Sequence, residues 1–319
     1  MRFVPLSAAI AASLLWVTAA VAEWPERAIT VVSPYPPGGT NDVIGRAFMD
    51  RLAAKLGQPI VVDNKPGAAG IVGSAQVTRA KPDGYTLLTA NNGALVLQPL
   101  VNSQARYNPV TDLTPIARYA VSYPFLGVRQ DLPAADFRAF TQVLKSANPG
   151  LTYGSAGIGS FGQFAVGHLV SVIGGGSPVH IPYRGSSQAL TDLLAGRIDF
   201  MVDPIVLQQK GPVCVLVTTA PERLATYPDV ATAREAGFPE FNLFGWFGLF
   251  GPAGLPPDIT EKLGRAVDEI AAEDAIQAIA ERTGLSVAPL RGAPFVAAPR
   301  DELVRFKDIK EKAGIPNVE

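Results

Sequence analysis

The residues whose types and spacing could do chemistry fall in two glycine-rich stretches. The first, Ser33–Asp42 (S-P-Y-P-P-G-G-T-N-D), follows the apolar run Ala28-Ile29-Thr30-Val31-Val32. Gly38 and Gly39 can adopt positive φ and let a ligand come close to the backbone. Pro36 and Pro37 stiffen the approach. A helix starting on Thr40-Asn41-Asp42 has unpaired N–H groups and a partial positive charge at its first turn, a natural seat for a carboxylate or phosphate. Any of those three residues could cap it, so an ordinary strand–turn–helix joint is the competing reading. The second stretch, Tyr153–Gln163 (Y-G-S-A-G-I-G-S-F-G-Q), has the same placement. Ser160 and Gln163 are spaced as a capping box, which directs the Ser160 hydroxyl toward the helix. Ser155, Ala156 and Gly157 are then the better candidates for direct contact. Two such loops, one per domain, could grip opposite ends of a small anion.

Other chemistry is thin. Gly157-Ile158-Gly159-Ser160-Phe161-Gly162 fits the dinucleotide fingerprint G-x-G-x-x-G. That fingerprint needs an acidic residue some 20 positions on for the ribose. Here the next strand ends in Pro182-Tyr183-Arg184, with no carboxylate before Asp192, and Arg184 would suit a 2′-phosphate instead. His168 and His180 lack metal-ligand spacing and read as structural. No serine sits in G-x-S-x-G, and no Gly-Lys pair makes a phosphate loop of the Walker type. Asp199 and Asp203 are an unspecific acidic pair among 28 acidic residues. No metal or cofactor is called for.

The elements that must position these loops alternate between strand and helix. Strands are expected at 28–33, 59–63, 85–90, 124–128, 151–155, 179–183, 198–203, 213–219 and 246–252. Helices are expected at 42–56, 71–80, 137–147, 161–172, 187–194, 258–282 and 300–313. The alternation predicts two similar α/β domains built on parallel sheets, with ligands bound beyond the carboxyl ends of the strands.

The 319 residues are 48% hydrophobic and 17% charged, enough for two domains. The formal net charge is −1 with no block of like charges, which argues against a nucleic-acid partner. Residues 1–22 read as a cleavable secretory signal peptide: Arg2, the apolar run Leu6–Val17, and Ala20-Val21-Ala22 as the cleavage triplet. The single cysteine, Cys214, permits no internal disulfide and reads as a small core residue. A soluble periplasmic protein of a Gram-negative cell, acting as a monomer, is the expectation.

The order and spacing of several longer stretches carry a resemblance. They are WPERAITVVSPYPPGGTNDVIGR, LGQPIVVDNKPGAAGIVGS, KPDGYTLL, NPGLTYGSAGIGS, IPYRGSSQALTDLLAGRIDFM, YPDVATAREAGFPEF and WFGLFGPAGLP. From Trp24 almost to the C-terminus the chain resembles the Bug/TctC periplasmic solute-binding proteins of tripartite tricarboxylate transporters. The resemblance implies two α/β domains with a ligand cleft between them, of the periplasmic binding protein type II-like, Venus-flytrap kind. Residues 23–123 plus 245–319 would form one domain and 124–244 the other. It implies capture of a small carboxylate, a di- or tricarboxylate or related organic acid, held largely by backbone groups and bridging waters. The implied ligand-binding residues are Tyr35, Pro36, Gly38, Gly39, Thr40, Asn41 and Asp42 of the first loop, Asn91 and Asn92, Ser155, Ala156, Gly157 and Ser160 of the second loop, Arg184 and Asp203. Membrane subunits of the transporter are the implied partners. Two stretches depart from the family pattern: PIVLQQKGP, shorter than the usual segment after Asp203, and RGAPFVAAPRDEL, which lacks the usual acidic, polar lead into the last helix.

No bond is made or broken in that reading. The alternatives are an exported NADP-dependent oxidoreductase or hydrolase on the same α/β frame, and a ligand sensor docking on a sensor-kinase ectodomain.

Overall fold

The computed structural model describes residues 23–207 and 211–318. The signal peptide expected over residues 1–22 lies outside the described residues. In chain order the elements are β1 (Ile29–Ser33), α1 (Thr40–Leu56), β2 (Ile60–Asn64), α2 (Ile71–Val77), β3 (Thr86–Asn91), α3 (Gln98–Val101), β4 (Leu113–Ser122), β5 (Phe125–Arg129), α4 (Phe137–Ser146), β6 (Thr152–Ser155), α5 (Phe161–Ile173), β7 (Val179–Pro182), α6 (Ser186–Leu194), β8 (Phe200–Asp203), β9 (Val213–Thr218), β10 (Gly245–Pro252), α7 (Pro257–Ala271), α8 (Asp274–Arg282), β11 (Ser286–Arg291) and α9 (Ala293–Ala313).

Local chemistry sets many of these boundaries. α1 stops where Gly57 takes a left-handed φ of 66°, a conformation that a side chain resists. Asp136 caps α4 by accepting the Ala139 N–H at 2.7 Å. α7 opens with Pro257 in its first turn, where the missing N–H has no intrahelical partner to lose. The single helix expected over 258–282 is two helices. Gln277 Nε2 donates to the Ala271 carbonyl at 2.9 Å, satisfying the end of α7 as the chain turns into α8.

The strands form two sheets, ordered β11-β4-β10-β3-β1-β2 and β7-β6-β8-β5-β9. Each contains the expected parallel core, β2-β1-β3 in the first and β7-β6-β8 in the second. The sheets are nevertheless mixed rather than parallel throughout. β10 runs antiparallel to β3 and β4, and β5 antiparallel to β8 and β9. The physical reason is the route of the chain. β4 leads through Tyr123-Pro124 straight into β5 of the second sheet, and β10 brings the chain back beside β4.

Neither β4 nor β11 is anticipated from the sequence, because each carries a proline. Pro115 lies in β4 beside a register shift opposite Leu249/Phe250. Pro289 falls in the shifted stretch of edge strand β11, between Val287 and Leu290. Bulges and edges are where a strand tolerates a residue without an N–H.

The core has three parts. α1, α7 and α8 cover one face of the first sheet around Phe48, Leu52, Leu263 and Ile270. α6 covers β8 around Leu190, Leu193 and Met201. The largest cluster runs continuously from the first sheet to the second. Within it α9 contacts both: Phe295 lies edge-on to Trp246 at 5.8 Å, and Phe306 edge-on to Phe164 of α5 at 5.4 Å. Cys214 is half-buried against this cluster.

Candidate ligand cleft

The first glycine-rich loop joins β1 to α1, and its shape is fixed by a buried carboxylate. Asp42, 3% exposed, accepts the Gly38 N–H at 2.9 Å, Arg46 Nε at 3.0 Å and Asn64 Nδ2 at 2.7 Å. Asn64, at the end of β2, also donates to the Tyr35 carbonyl at 2.9 Å and accepts Arg46 at 2.6 Å. Burial alone would raise the Asp42 pKa, but the hydrogen bonds from Arg46, Asn64 and Gly38 outweigh it and hold the carboxyl below its ordinary value. Gly38 sits at φ +83°, so the turn tightens without a side-chain penalty.

This brace leaves the first turn of α1 facing a cavity of about 420 Å³. Tyr35, Pro36, Gly39, Thr40 and Asn41 line it from the first loop, and Asn91 from the end of β3. The first intrahelical bond is Val43 N–H to Gly39 O, so the N–H groups of Thr40, Asn41 and Asp42 are the unpaired donors of the helix start. Tyr35 donates its hydroxyl to Asn91 Oδ1 at 2.8 Å, and the same oxygen accepts the Ala94 N–H at 3.1 Å. Burial holds the Tyr35 phenol neutral, its pKa well above the usual value. Asn91 Nδ2 keeps its protons without a partner among the described residues. Asn41 Nδ2 must face the Thr89 carbonyl, 3.1 Å away, which orients the amide and leaves Asn41 Oδ1 buried with no donor among the described residues.

The opposite wall comes from the second sheet and the crossings. Ser186, at the start of α6, donates to Asp203 Oδ2 at 2.6 Å, and Pro204 follows. Ser122 and Phe247 contribute from β4 and β10, Thr283 and Leu285 from the connection between α8 and β11. Among the described residues no arginine or lysine lines the cavity. Among these lining residues an anion meets the neutral donors and helix dipole of the first loop, with the Asp203 carboxylate on the opposite wall.

Of the residues expected from the sequence, Tyr35, Pro36, Gly39, Thr40, Asn41, Asn91 and Asp203 come together on this cavity. Gly38 and Asp42 stand behind it as the brace. Asn92 is buried on another side, donating to Phe244 O at 3.2 Å and Glu302 Oε2 at 3.4 Å. Arg184 is exposed, with its backbone N–H on Gln188 Oε1.

The second loop is not among the lining residues of this cavity, and its Ser155 and Gln163 side chains are engaged elsewhere. Gln163 Nε2 donates to His180 Nδ1 at 3.1 Å, which places the imidazole proton on Nε2. That proton points to Ser155 Oγ at 2.7 Å, and Ser155 in turn donates to Gly157 O at 3.0 Å. Burial lowers the His180 pKa, in keeping with this neutral form. The loop tip meets α3 directly: a Cβ on Gly159 would lie 2.6 Å from Val101 Cγ2. The expected capping box does not form. Gln163 Oε1 accepts the Gly159 N–H at 2.7 Å, and Ser160 Oγ is buried without a partner. The glycines of the G-x-G-x-x-G match serve this turn and the packing of α5, where a Cβ on Gly162 would sit 3.2 Å from the Val202 carbonyl. Among the described residues no cluster of His, Cys, Asp and Glu could hold a metal ion.

Sequence reasoning missed Asn64 and the Thr283/Leu285 wall. Asn64 has a signal, since it ends a parallel strand next to the loop. Thr283 and Leu285 have none, because their position depends on the unforeseen turn between α7 and α8.

The sequence profile described as "Tripartite tricarboxylate transporter family receptor" matches residues 44–315. A protein described as "UPF0065 protein in tcbD-tcbE intergenic region", from Pseudomonas sp. (strain P51), is 37% identical over 284 residues, covering 86% of this chain and 82% of that one. Among solved structures, the periplasmic binding protein BugD superposes with a TM-score of 0.74 at 28% identity, covering 92% of this chain and all of that one. MatC from Rhodopseudomonas palustris, solved with bound malate, gives 0.71 at 32% identity, covering 90% and 99%. The matched family is one of transporter receptors and BugD is a periplasmic binding protein, so the family is of solute-binding proteins, not enzymes, and the oxidoreductase and hydrolase readings fall with that. A profile match over most of the chain and full-length likeness to such structures place this chain in the TctC receptor family of tripartite tricarboxylate transporters, the Bug-type periplasmic solute-binding proteins.

Proposed function

We propose that this protein captures a small carboxylate in the cleft between its two sheets and presents it to the membrane subunits of a tripartite tricarboxylate transporter. The observation that carries the reading is the first turn of α1, with Asn91 beside it, facing a cavity of about 420 Å³ that no arginine or lysine lines among the described residues. One ligand carboxylate seats on the α1 N–H groups and the Asn91 amide. The carbon skeleton lies against Phe247, Leu285 and Pro204, and its far end meets Ser186. The malate held by MatC belongs to this ligand class. The lobes, 23–123 plus 245–319 and 124–244, close on the ligand because it binds the closed arrangement better. Export through the 1–22 leader and action as a periplasmic monomer complete the proposal.

The test is a thermal-denaturation screen of ligand-free protein against malate, adipate, citrate and their amides. A ligand that binds only the folded protein at about 100 times its Kd stabilises it by about 2.7 kcal/mol. At least one free acid should raise the melting temperature by several degrees while its amide does not. Equal responses to acids and amides, or no response from any acid, would refute the proposal.

A further inference from the structure

A second cavity, of about 240 Å³, shares no lining residue with the ligand cleft. Both crossings between the sheets build it. Tyr123 follows β4, and Phe241, Asn242 and Phe244 precede β10. The rings of Tyr123 and Phe244 lie 6.0 Å apart and tilted, giving the cavity an aromatic side.

Its charge is positive. Arg305 of α9 and Arg234 both line it, and neither forms an ion pair among the described residues. The Arg305 guanidinium donates to Asn242 Oδ1. Its NH2 nitrogen also lies 3.2 Å from His168 Nε2, but that nitrogen directs its own proton to the Glu240 carbonyl at 2.8 Å and has no lone pair to offer. Arg305 therefore has donors in hand. Arg234 is exposed and its side chain makes no hydrogen bond among the described residues. The Glu302 carboxyl, one turn from Arg305 on α9, is already engaged by Trp246 Nε1 at 2.8 Å and Asn92 Nδ2 at 3.4 Å. Arg118 adds a further positive charge, its guanidinium 5.8 Å from the centre of the Phe244 ring.

We propose that this cavity is a second ligand site, separate from the transport cleft, for a small planar aromatic carboxylate. The Arg234 and Arg305 guanidiniums take the carboxylate, with the fork geometry that suits it. The Phe241, Phe244 and Tyr123 rings take the aromatic body by offset or edge-on stacking. The size of the cavity restricts the ligand to about a single substituted ring.

The test uses benzoate as the probe, with benzamide as its neutral isostere, in calorimetric titrations of the full chain. Benzoate should bind and benzamide should not. Arg234→Gln and Arg305→Gln should each weaken benzoate by about tenfold or more, equivalent to about 1.4 kcal/mol. Asn91→Ala, in the transport cleft, should leave it unchanged. Arg234 is exposed, so R234Q keeps the fold and decides the matter even if R305Q does not fold. The proposal is overturned if wild-type protein takes up no benzoate at millimolar concentration, if folded R234Q binds it as well as wild type, or if N91A abolishes the binding. Because R234Q leaves the cleft intact, its result is independent of whether the transport reading holds.

Discussion

Replacing Asp42 tests the idea that a buried brace shapes the binding loop. Its carboxylate receives the Gly38 N–H, Arg46 Nε and Asn64 Nδ2, all within 3.0 Å. Asp42→Ala removes the acceptor from one N–H of each of those three groups, Asn64 Nδ2 keeping its bond to the Tyr35 carbonyl. Arg46 is 41% exposed and recovers its loss in water, so its share is small. The Gly38 and Asn64 groups face less water, and each costs about 1–2 kcal/mol when left unpaired. The expected destabilisation near neutral pH is therefore about 2–3 kcal/mol, or a fall in melting temperature of about 4–6 °C for a chain of this size. Because the folded-state pKa is depressed, the carboxylate's contribution is present above the unfolded-state value. It is lost as pH falls through the folded one. Wild type and Asp42→Asn should thus converge in stability as the pH is lowered through the carboxylate range. Urea denaturation at a series of pH values measures this directly. The reasoning fails if Asp42→Ala melts within about 1 °C of wild type, or if the gap between wild type and D42N is the same in acid as at neutrality.

Gly159→Ala should destabilise by about 1–3 kcal/mol, since its Cβ would lie 2.6 Å from Val101 Cγ2 on a backbone at φ +75°. Adding Val101→Ala should recover part of that loss, and a double-mutant cycle by denaturation reads the coupling. Glu302 has its carboxyl pushed up to about 7 by burial. A raised folded pKa means its contribution is full below the unfolded-state value and fades as pH rises through about 7. Glu302→Gln, whose amide oxygen can still accept from Trp246 and Asn92, should therefore gain stability relative to wild type on going from pH about 5 to about 8. His180 is held neutral by burial, so its NMR ring signals should titrate below the ordinary histidine range. Its contribution to stability, present above the unfolded-state pKa, should be lost as pH falls through the lower folded-state value.

The sequence marked the parts of this fold where local chemistry and tertiary position agree. β1, α1 and the loop between them follow from an apolar run, two prolines and two glycines at a helix start. The parallel cores of both sheets follow from the strand–helix alternation. β4 and β11 were hidden because Pro115 and Pro289 are tolerated only through bulges and an edge position that pairing partners create. The α7–α8 turn was hidden because helical periodicity continues through Ala272-Glu273, and only Gln277 reaching back to Ala271 marks the break. At the cleft, the first loop was legible because the role proposed for it lies in the backbone. The internal engagement of the second loop was not, since it depends on His180 of β7 reaching both Ser155 and Gln163. The wall supplied by Ser122, Thr283 and Leu285 comes from segments far apart in sequence that meet only in the folded chain.

The central claim is that a carboxylate seats on the exposed first turn of α1, between the two sheets. A crystal structure of the protein with the acid that most raises its melting temperature tests it directly. The carboxylate should lie within hydrogen-bond distance of the Thr40 or Asn41 N–H and of Asn91 Nδ2, with the carbon skeleton against Phe247 and Leu285. An acid bound elsewhere, with the first turn of α1 facing only solvent, would contradict the account.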